Sequence, residues 1–324
     1  MTSNSTDHIL LYNRADMMIV YGLFIISVCT AISLSIFITI LVGSIRSLRN
    51  IPNLLVTNTC MATICTMIIV TSNMSMYVFE ISLTDQYCRL LGYLNYSCLT
   101  MVAYSYLIQS LSRLFFTNFS NYRWLLTGKA HLVLIIVQNT ISYLFPLPSL
   151  LTNDIVYRPL AMCLIPMAYL KHIVYFFATT YISPLLVVIL IHLKIHHQVR
   201  QSSKRMANRD RQINKRDLRL TKIVLLLFVI FLLAGFPGII YVMIIKLTYW
   251  DSEAMYEFTI ASVAIAMSIE KISLLFLNME IRNTIRRRFR KLFSMRVSQI
   301  EPFTLQQMTM TIQHRGVSIL TPVH

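Results

Sequence analysis

The chain has 324 residues, of which 56% are hydrophobic and only 13% are charged, and its formal net charge is +16. A soluble domain usually has about 25% charged residues, so this composition excludes an ordinary soluble enzyme and indicates a membrane protein. The basic residues are concentrated in a few segments rather than spread along the chain, which argues against a nucleic-acid partner.

Seven apolar stretches follow one another along the chain. A membrane span needs about 20 predominantly apolar residues, and in lipid its backbone must satisfy its own hydrogen bonds as a helix. The predicted spans are Met18–Gly43, Leu54–Phe79, Arg89–Phe115, His131–Leu151, Ile173–Ile195, Thr221–Ile245 and Tyr256–Asn278. The predicted fold class is an all-α membrane protein, with a seven-transmembrane helix bundle over residues 18–278.

The charges predict an orientation. The N-terminal segment, residues 1–17, is polar and contains Asn4-Ser5-Thr6, an N-glycosylation acceptor at Asn4. Loops on one side of the bundle carry 23 Lys and Arg residues, against five on the other side. The positive-inside rule places the N-terminus outside the cell and the C-terminus in the cytoplasm of a plasma-membrane protein. Contact with anionic inner-leaflet lipid would by itself explain most of this asymmetry.

Two of the six cysteines are predicted to form a disulfide bond. Cys88 lies at the exterior mouth of the third span, and Cys163 lies in the exterior loop between the fourth and fifth spans. Cysteines in an oxidising compartment tend to pair, and the bridge would hold the loop Thr152–Lys171 over the mouth of the bundle. The other cysteines fall inside spans, where they are expected to act as small hydrophobic residues.

The linker between the fifth and sixth spans lacks Gly and Pro from Leu185 to Ala234. Without these helix breakers, both helices are expected to continue past the membrane and to turn near Asn208. Their basic residues would flank a cytoplasmic cavity whose floor is Arg113, a docking place for an acidic or amphipathic helix. The basic residues concerned include Lys194, Arg200 and Lys222.

Two segments are expected to follow the last span. Residues 279–293 interleave Arg and Lys with apolar residues, which predicts a short amphipathic eighth helix at the cytoplasmic interface. Residues 294–324 are polar and rich in Ser and Thr, and we expect a disordered cytoplasmic tail.

Several motifs resemble one receptor family. Arg113 follows Cys88 by 25 residues and lies in Ser112-Arg113-Leu114, and prolines occur at Pro184 and Pro237. This pattern resembles the rhodopsin-like (class A) G-protein-coupled receptors, whose third helix begins with a bridged Cys and ends in Asp-Arg-Tyr. The resemblance implies a cell-surface receptor that binds an extracellular ligand and activates a heterotrimeric G protein. Arg113 would then be part of the coupling site; the alternative is an arginine that only snorkels to the headgroups.

The chain also departs from that family. The family's helix-six Trp is Gly235 here, its helix-two Asp is Thr63, and its helix-seven Asn-Pro is Glu270-Lys271. Pro237 with its flanking glycines, and Pro184 in the fifth span, predict hinges, although Pro and Gly in membrane helices also serve packing.

Glu270 is the only acidic residue predicted in the interior of a span, and its charge is costly there. We expect the carboxylate to point toward Thr63 and Asn58 as an intramembrane switch. Lys271 is expected to face lipid or a neighbouring helix and to snorkel toward the cytoplasm. The alternative is that the helix ends earlier and both charges lie at the interface.

Residues on the exterior side bear on the class of ligand. Asn95 replaces the Asp that pairs the amine in aminergic relatives of this pattern, so an amine ligand is disfavoured. Acidic residues on the exterior side favour a basic or neutral peptide, with a small molecule as the other possibility. No catalytic, metal or cofactor motif is recognisable. A small multi-helix transporter or channel is the alternative function.

Overall fold

The computed structural model describes residues 3–290, apart from residues 80–83, 120–121, 153, 156–162, 164, 166–168, 204–207, 249–252 and 289. The described part of the chain is almost entirely helical, as expected for spans that must satisfy their backbone inside lipid. The helices are α1 (Ser3–Ser44), α2 (Ile51–Val78), α3 (Asp85–Asn118), α4 (Gly128–Leu144), α5 (Leu147–Leu151), α6 (Leu170–Phe177), α7 (Ser183–Ser203), α8 (Asn208–Thr248) and α9 (Glu253–Leu277).

These helices form a closed seven-helix bundle. Helix α1 packs against α2 and α9, α9 packs against α8, and α8 packs against α7. Helix α3 completes the ring, because it contacts α2, α4, α7 and α8. The seven spans are α1, α2, α3, α4 with α5, α6 continued by α7, α8, and α9. The predicted fold class is therefore confirmed.

Helix α3 is the centre of the bundle. Six of the described helical stretches are long and apolar enough to span a membrane by composition alone, and α3 is not among them. Its 34 residues are more polar, and just over half of them are buried. A helix surrounded by other helices presents little surface to lipid, so polar residues are tolerated at its contacts.

The bundle is apolar outside, and its interior combines an apolar core with buried polar side chains. Large exposed side chains such as Met18, Ile26 and Leu190 cover the outer surface. Hydroxyl and amide side chains, including Thr63, Thr66 and Asn73, are buried between helices. Many of these hydroxyls bond to a carbonyl one turn earlier in their own helix, as Thr63 does to Thr59 at 2.9 Å. This arrangement fits a lipid environment, in which apolar surface is favourable and each unpaired polar group costs free energy.

The fifth span contains a wide turn before its proline. Residues Ala178–Ile182 form a π-helical turn between α6 and α7, and Pro184 is the second residue of α7. Proline has no N–H, and its ring clashes with the carbonyl four residues earlier. A π-helical turn is one of the recognised ways to absorb such a defect. In α8, by contrast, the helix continues through Pro237 without interruption.

The ends of the helices partly follow the sequence prediction. Helix α7 extends to Ser203 and α8 begins at Asn208, so both helices continue well beyond the predicted spans as expected. Residues 204–207, which connect the two helices, are outside the described residues. Helix α1 begins at Ser3, earlier than the predicted Met18.

Residues from Asn278 onward form a separate unit. Within it, residues 279–288 are helical. Asn278 caps this helix, because its Oδ1 accepts hydrogen bonds from the backbone N–H of Glu280 at 3.1 Å and of Ile281 at 3.3 Å. The amphipathic role of this segment stays a prediction, and the predicted tail lies outside the described residues.

Candidate functional site

A disulfide bond closes one end of the bundle. Cys88 in the first turn of α3 is bonded to Cys163, and both residues are buried. The predicted pairing is therefore confirmed. We call this end of the bundle the disulfide end.

The loop that carries Cys163 is held against α3 at further points. The backbone N–H of Ile165 donates to the Tyr96 hydroxyl at 3.1 Å. Ile155, which is fully buried, packs with Ile165 and Ile173 and against Tyr96. A Cβ on Gly92 would lie 2.6 Å from Ile155 Cγ2 and 2.7 Å from the Cys163 carbonyl oxygen. The lack of a side chain at Gly92 is what allows the loop to lie this close to α3.

Asp154 and His172 form a further contact at the same end. Their side chains form an ion pair between Oδ2 and Nδ1 whenever the imidazole is protonated, and Thr152 also donates to the Asp154 carboxylate. His172 lies in α6 and Asp154 lies just after α5, so this contact joins the two ends of the loop.

A column of aromatic rings runs from the disulfide end into the bundle. Tyr96 of α3 meets Phe176 at 4.4 Å between ring centroids, and Phe176 meets Tyr181 at 6.3 Å. Tyr181 stacks on Phe231 of α8 at 5.6 Å with an interplanar angle of 11°. Phe231 lies 6.1 Å from Tyr106 of α3. We call these five residues the aromatic column.

Gly235 is what makes room for Tyr181. A Cβ at Gly235 would lie 3.0 Å from Tyr181 Cε1. A side chain at position 235 would therefore require the Tyr181 ring to move by a few tenths of an ångström. Gly235 was predicted from sequence only as part of a hinge; its packing role depends on a residue of another helix.

Glu270 and Lys271 form a buried ion pair at the inner end of the column. Lys271 Nζ donates to Glu270 Oε1 at 2.8 Å, and the two side chains are 0% and 1% exposed respectively. The predicted snorkelling of Lys271 is wrong. The alternative of an interfacial pair is also wrong, because α9 continues to Leu277 and both charges are buried. Adjacent helix residues diverge by about 100°, but the long lysine stem folds back far enough to reach the carboxylate.

The second carboxylate oxygen faces a different helix. Glu270 Oε2 and the Tyr106 hydroxyl are both buried, and neither has a hydrogen bond of good geometry among the described residues. They lie close enough to interact electrostatically, and Cys60 lies within range of the same carboxylate. This group of Cys60, Tyr106, Glu270 and Lys271 is the polar centre of the bundle.

The predicted partners of Glu270 are bonded elsewhere. Asn58 donates to Gln138 Oε1 at 2.9 Å, and Gln138 in turn donates to the Met101 carbonyl oxygen of α3 at 2.9 Å. Thr63 donates to the Thr59 carbonyl oxygen. The structure thus joins α2, α4 and α3 through Asn58 rather than joining Asn58 to Glu270.

The coupling residues predicted from sequence belong to the end opposite the disulfide. Arg113 is half-buried near the end of α3, beside a cluster in which Leu114 packs against Ile191 and Ile195 of α7. Lys194 is exposed and its Nζ lies 5.9 Å from the centroid of the Phe119 ring, just past α3. Lys222 is exposed on α8. Arg200 is helical, but its side chain is outside the described side chains, as is that of Asn4. We call this end the Arg113 end.

Sequence reasoning missed several residues that join the helices. Gln138, His131, Tyr106 and Tyr181 all make contacts between helices, and none was singled out. A glutamine or histidine within an apolar span is itself a signal, because polar groups there need partners. For the two tyrosines no signal in the sequence distinguishes a central ring from an interfacial one.

Comparison with known families decides the class. The family model of the 7 transmembrane receptor (rhodopsin family) matches residues 34–269, well over half of the chain. The chain belongs to this family. No curated protein matches the sequence. As a member of a family of receptors, this receptor is a multi-pass membrane protein. Its Cys88–Cys163 disulfide and its helix bundle agree with the family resemblance of the sequence, whereas the coupling role of Arg113 stays a prediction.

Proposed function

We propose that this receptor lies in the plasma membrane, binds an extracellular ligand at the disulfide end and activates a heterotrimeric G protein at the Arg113 end. The observation that carries the proposal is the family match over residues 34–269. The distribution of basic residues supports the orientation, with the N-terminus and Asn4 outside, where Asn4 would be glycosylated.

The disulfide end is suited to ligand binding because the described residues of its loop are held from several sides. The Cys88–Cys163 bond, the Ile165–Tyr96 hydrogen bond and the Gly92 contact hold the loop against α3. A rim fixed in this way costs little ordering entropy when a ligand binds. We propose a peptide or a small molecule as ligand, with the aromatic column directly beneath it.

The Arg113 end is suited to a helical protein partner. Arg113, Lys194, Arg200 and Lys222 bring positive charge to the ends of α3, α7 and α8, and the long extensions of α7 and α8 add more. Positive charge at these helix ends favours an amphipathic or acidic helix, such as a G protein can provide. The same residues and the helix over 279–288 would also contact anionic inner-leaflet lipid.

A change between two bundle conformations would connect the two ends. The proposed moving parts are the π-helical turn before Pro184, the Gly235–Pro237 segment of α8 and the polar centre around Glu270. The first contains a π-helical turn and the second a proline inside a helix, both of which are known sites of helix bending. The third buries charged groups at the contact between α3 and α9.

A G-protein activation assay tests the proposal. Cells that express the receptor are exposed to a peptide library and to a small-molecule library, and nucleotide exchange is measured for each G-protein class. At least one ligand should raise exchange, and Arg113→Ala should abolish the response while surface expression is retained. Full signalling by Arg113→Ala would show that this arginine only snorkels, and no response with any G protein would reject coupling.

A further inference from the structure

A hydrogen bond between α3 and α4 lies directly beside Arg113. Ser112 Oγ is 2.9 Å from His131 Nε2. Ser112 is 2% exposed and His131 is fully buried. His131 lies in the first turn of α4, which is capped by Thr127 through a bond from the Ala130 N–H.

The second ring nitrogen fixes the direction of this bond. His131 Nδ1 lies 3.0 Å from the Thr127 carbonyl oxygen, which can only accept a hydrogen bond. Nδ1 therefore carries the hydrogen. A neutral imidazole has one N–H, so Nε2 is the acceptor and the Ser112 hydroxyl donates to it. This assignment follows from the hydrogen-bond network.

The imidazole is also held by two rings of α3. Phe116 stacks on it at 5.9 Å between centroids with an interplanar angle of 25°, and Phe115 meets it edge-on at 6.4 Å. Positions 112, 115 and 116 have the i, i+3, i+4 spacing that places them on one face of a helix. This face of α3 is therefore fixed to α4 by one histidine.

Fixing that face also fixes the direction of Arg113. Successive residues in a helix are rotated by about 100°, so a rotation of α3 that breaks the Ser112 bond must turn Arg113 as well. Ser112 carries no charge and therefore cannot form an ion pair with the guanidinium. It acts on the helix instead.

We infer that Ser112 and His131 are positioning residues for Arg113: their hydrogen bond sets the rotation of the end of α3 and thereby the direction in which Arg113 is presented. The role in coupling rests on the function proposed above. The rotation itself is a property of the fold and can be tested without a G protein.

The first test measures the rotation with a thiol reporter. Arg113→Cys is combined with Ser112→Thr or with Ser112→Val, two side chains of the same shape that differ in the hydroxyl. The alkylation rate at position 113 is read by peptide mapping of the purified receptor, so the native cysteines do not interfere. We expect the alkylation rate of the Ser112→Val variant to differ from that of the Ser112→Thr variant by roughly threefold or more. Loss of one hydrogen bond shifts the population of helix rotations by a factor of that order.

Two controls make this result specific. His131→Phe keeps the ring and the stacking but removes the acceptor, so in its presence Thr and Val at position 112 should give the same rate. A cysteine introduced on α7 by Lys194→Cys should be alkylated at the same rate in all variants that retain the Cys88–Cys163 bond. Equal rates for the Thr and Val variants at position 113 would overturn the inference. Equal changes at positions 113 and 194 would also overturn it, since they indicate general loosening.

The second test concerns signalling and keeps Arg113. Nucleotide exchange with and without a ligand from the library screen is compared for Ser112→Thr and Ser112→Val at equal surface expression. The Val variant should change ligand-independent exchange by roughly threefold or more, and His131→Phe should remove the difference. Identical exchange in the two variants would reject the link to coupling. If no G protein responds to any variant, the proposed function fails while the alkylation result still decides the rotation.

Discussion

The Glu270–Lys271 pair shows how one residue can neutralise another inside a membrane. A charge at the centre of a membrane helix costs about 2.5–3.5 kcal/mol on insertion scales, and here two such charges lie 2.8 Å apart. Both residues belong to α9, so the pair does not tie two helices together. It leaves Glu270 Oε2 facing the Tyr106 hydroxyl of α3, a contact that a rearrangement of the bundle could convert into a hydrogen bond.

This geometry predicts a non-additive pair of substitutions. Glu270→Gln or Lys271→Met alone leaves a buried charge without its partner, which typically destabilises a protein by about 3–5 kcal/mol. The double variant removes both charges and should recover most of that loss. Thermal unfolding of the purified receptor measures the difference, with the exposed Lys222→Met as control. Additive losses in the double variant would show that the pair does not act as a unit.

Gly235 packs closely against the Tyr181 ring, so a substitution at this position should lower the stability of the receptor. Gly235→Ala places a methyl group 3.0 Å from the Tyr181 ring. Overpacking of this kind typically costs about 1–3 kcal/mol, and Tyr181→Leu in the same chain should restore stability. Gly22→Ala is the matched control, since nothing lies within 4 Å of its Cβ position. A loss in Gly235→Ala that Tyr181→Leu does not relieve would point to the hinge rather than to packing.

At the scale of elements, the contact between α3 and the loop of Cys163 depends on backbone proximity. The loop lies so close to α3 that Gly92 cannot be replaced without moving it. The disulfide and the Ile155 packing share this contact, so disturbing one should disturb the other.

Gly92→Ala should therefore impair the bridge. Its Cβ would clash with both Ile155 Cγ2 and the Cys163 carbonyl oxygen, so the two sulfur atoms should meet less often during folding. Non-reducing peptide mapping would measure the fraction of receptor with the Cys88–Cys163 link. Loss of such a bridge typically costs about 2–4 kcal/mol, which should appear as a lower unfolding temperature. A complete Cys88–Cys163 bond with an unchanged unfolding temperature would show that the loop moves to accommodate the new methyl group. Gly43→Ala is the control, because nothing lies within 4 Å of its Cβ position.

Helix α3 holds three neighbouring spans in place through side-chain hydrogen bonds. It bonds to α2 through Gln109 and Thr59 at 2.6 Å, to the fifth span through Thr100 and Thr180 at 3.0 Å, and to α4 through Ser112. Where lipid gives no hydrophobic drive between helices, such bonds and close packing hold the bundle together.

For the whole molecule, the charge asymmetry predicts the orientation. The basic loops should remain in the cytoplasm, so an N-terminal epitope tag should be reached by antibody on intact cells. Asn4→Gln should remove any glycan-dependent change in electrophoretic mobility. A tag that is detected only after permeabilisation would reverse the orientation and would contradict the receptor topology.

The sequence alone determined the features that depend on composition and spacing. The length of the apolar stretches predicts the spans, including the third over Arg89–Phe115, because lipid allows only helices whose backbone hydrogen bonds are internal. Cys88 and Cys163 pair as predicted because they are the two cysteines at the same end outside the spans. The long extensions of α7 and α8 follow from a linker without helix breakers.

Only the tertiary structure decided which buried groups meet. Lys271 was expected to turn away from Glu270, since adjacent residues diverge on a helix. Its flexible stem instead folds back and brings the buried ammonium to the carboxylate. Asn58 reaches Gln138 rather than Glu270, Tyr181 fills the space that Gly235 leaves open, and His131 binds Ser112. Each of these contacts joins residues far apart in sequence or depends on a side-chain rotation, and neither periodicity nor motif spacing carries that information.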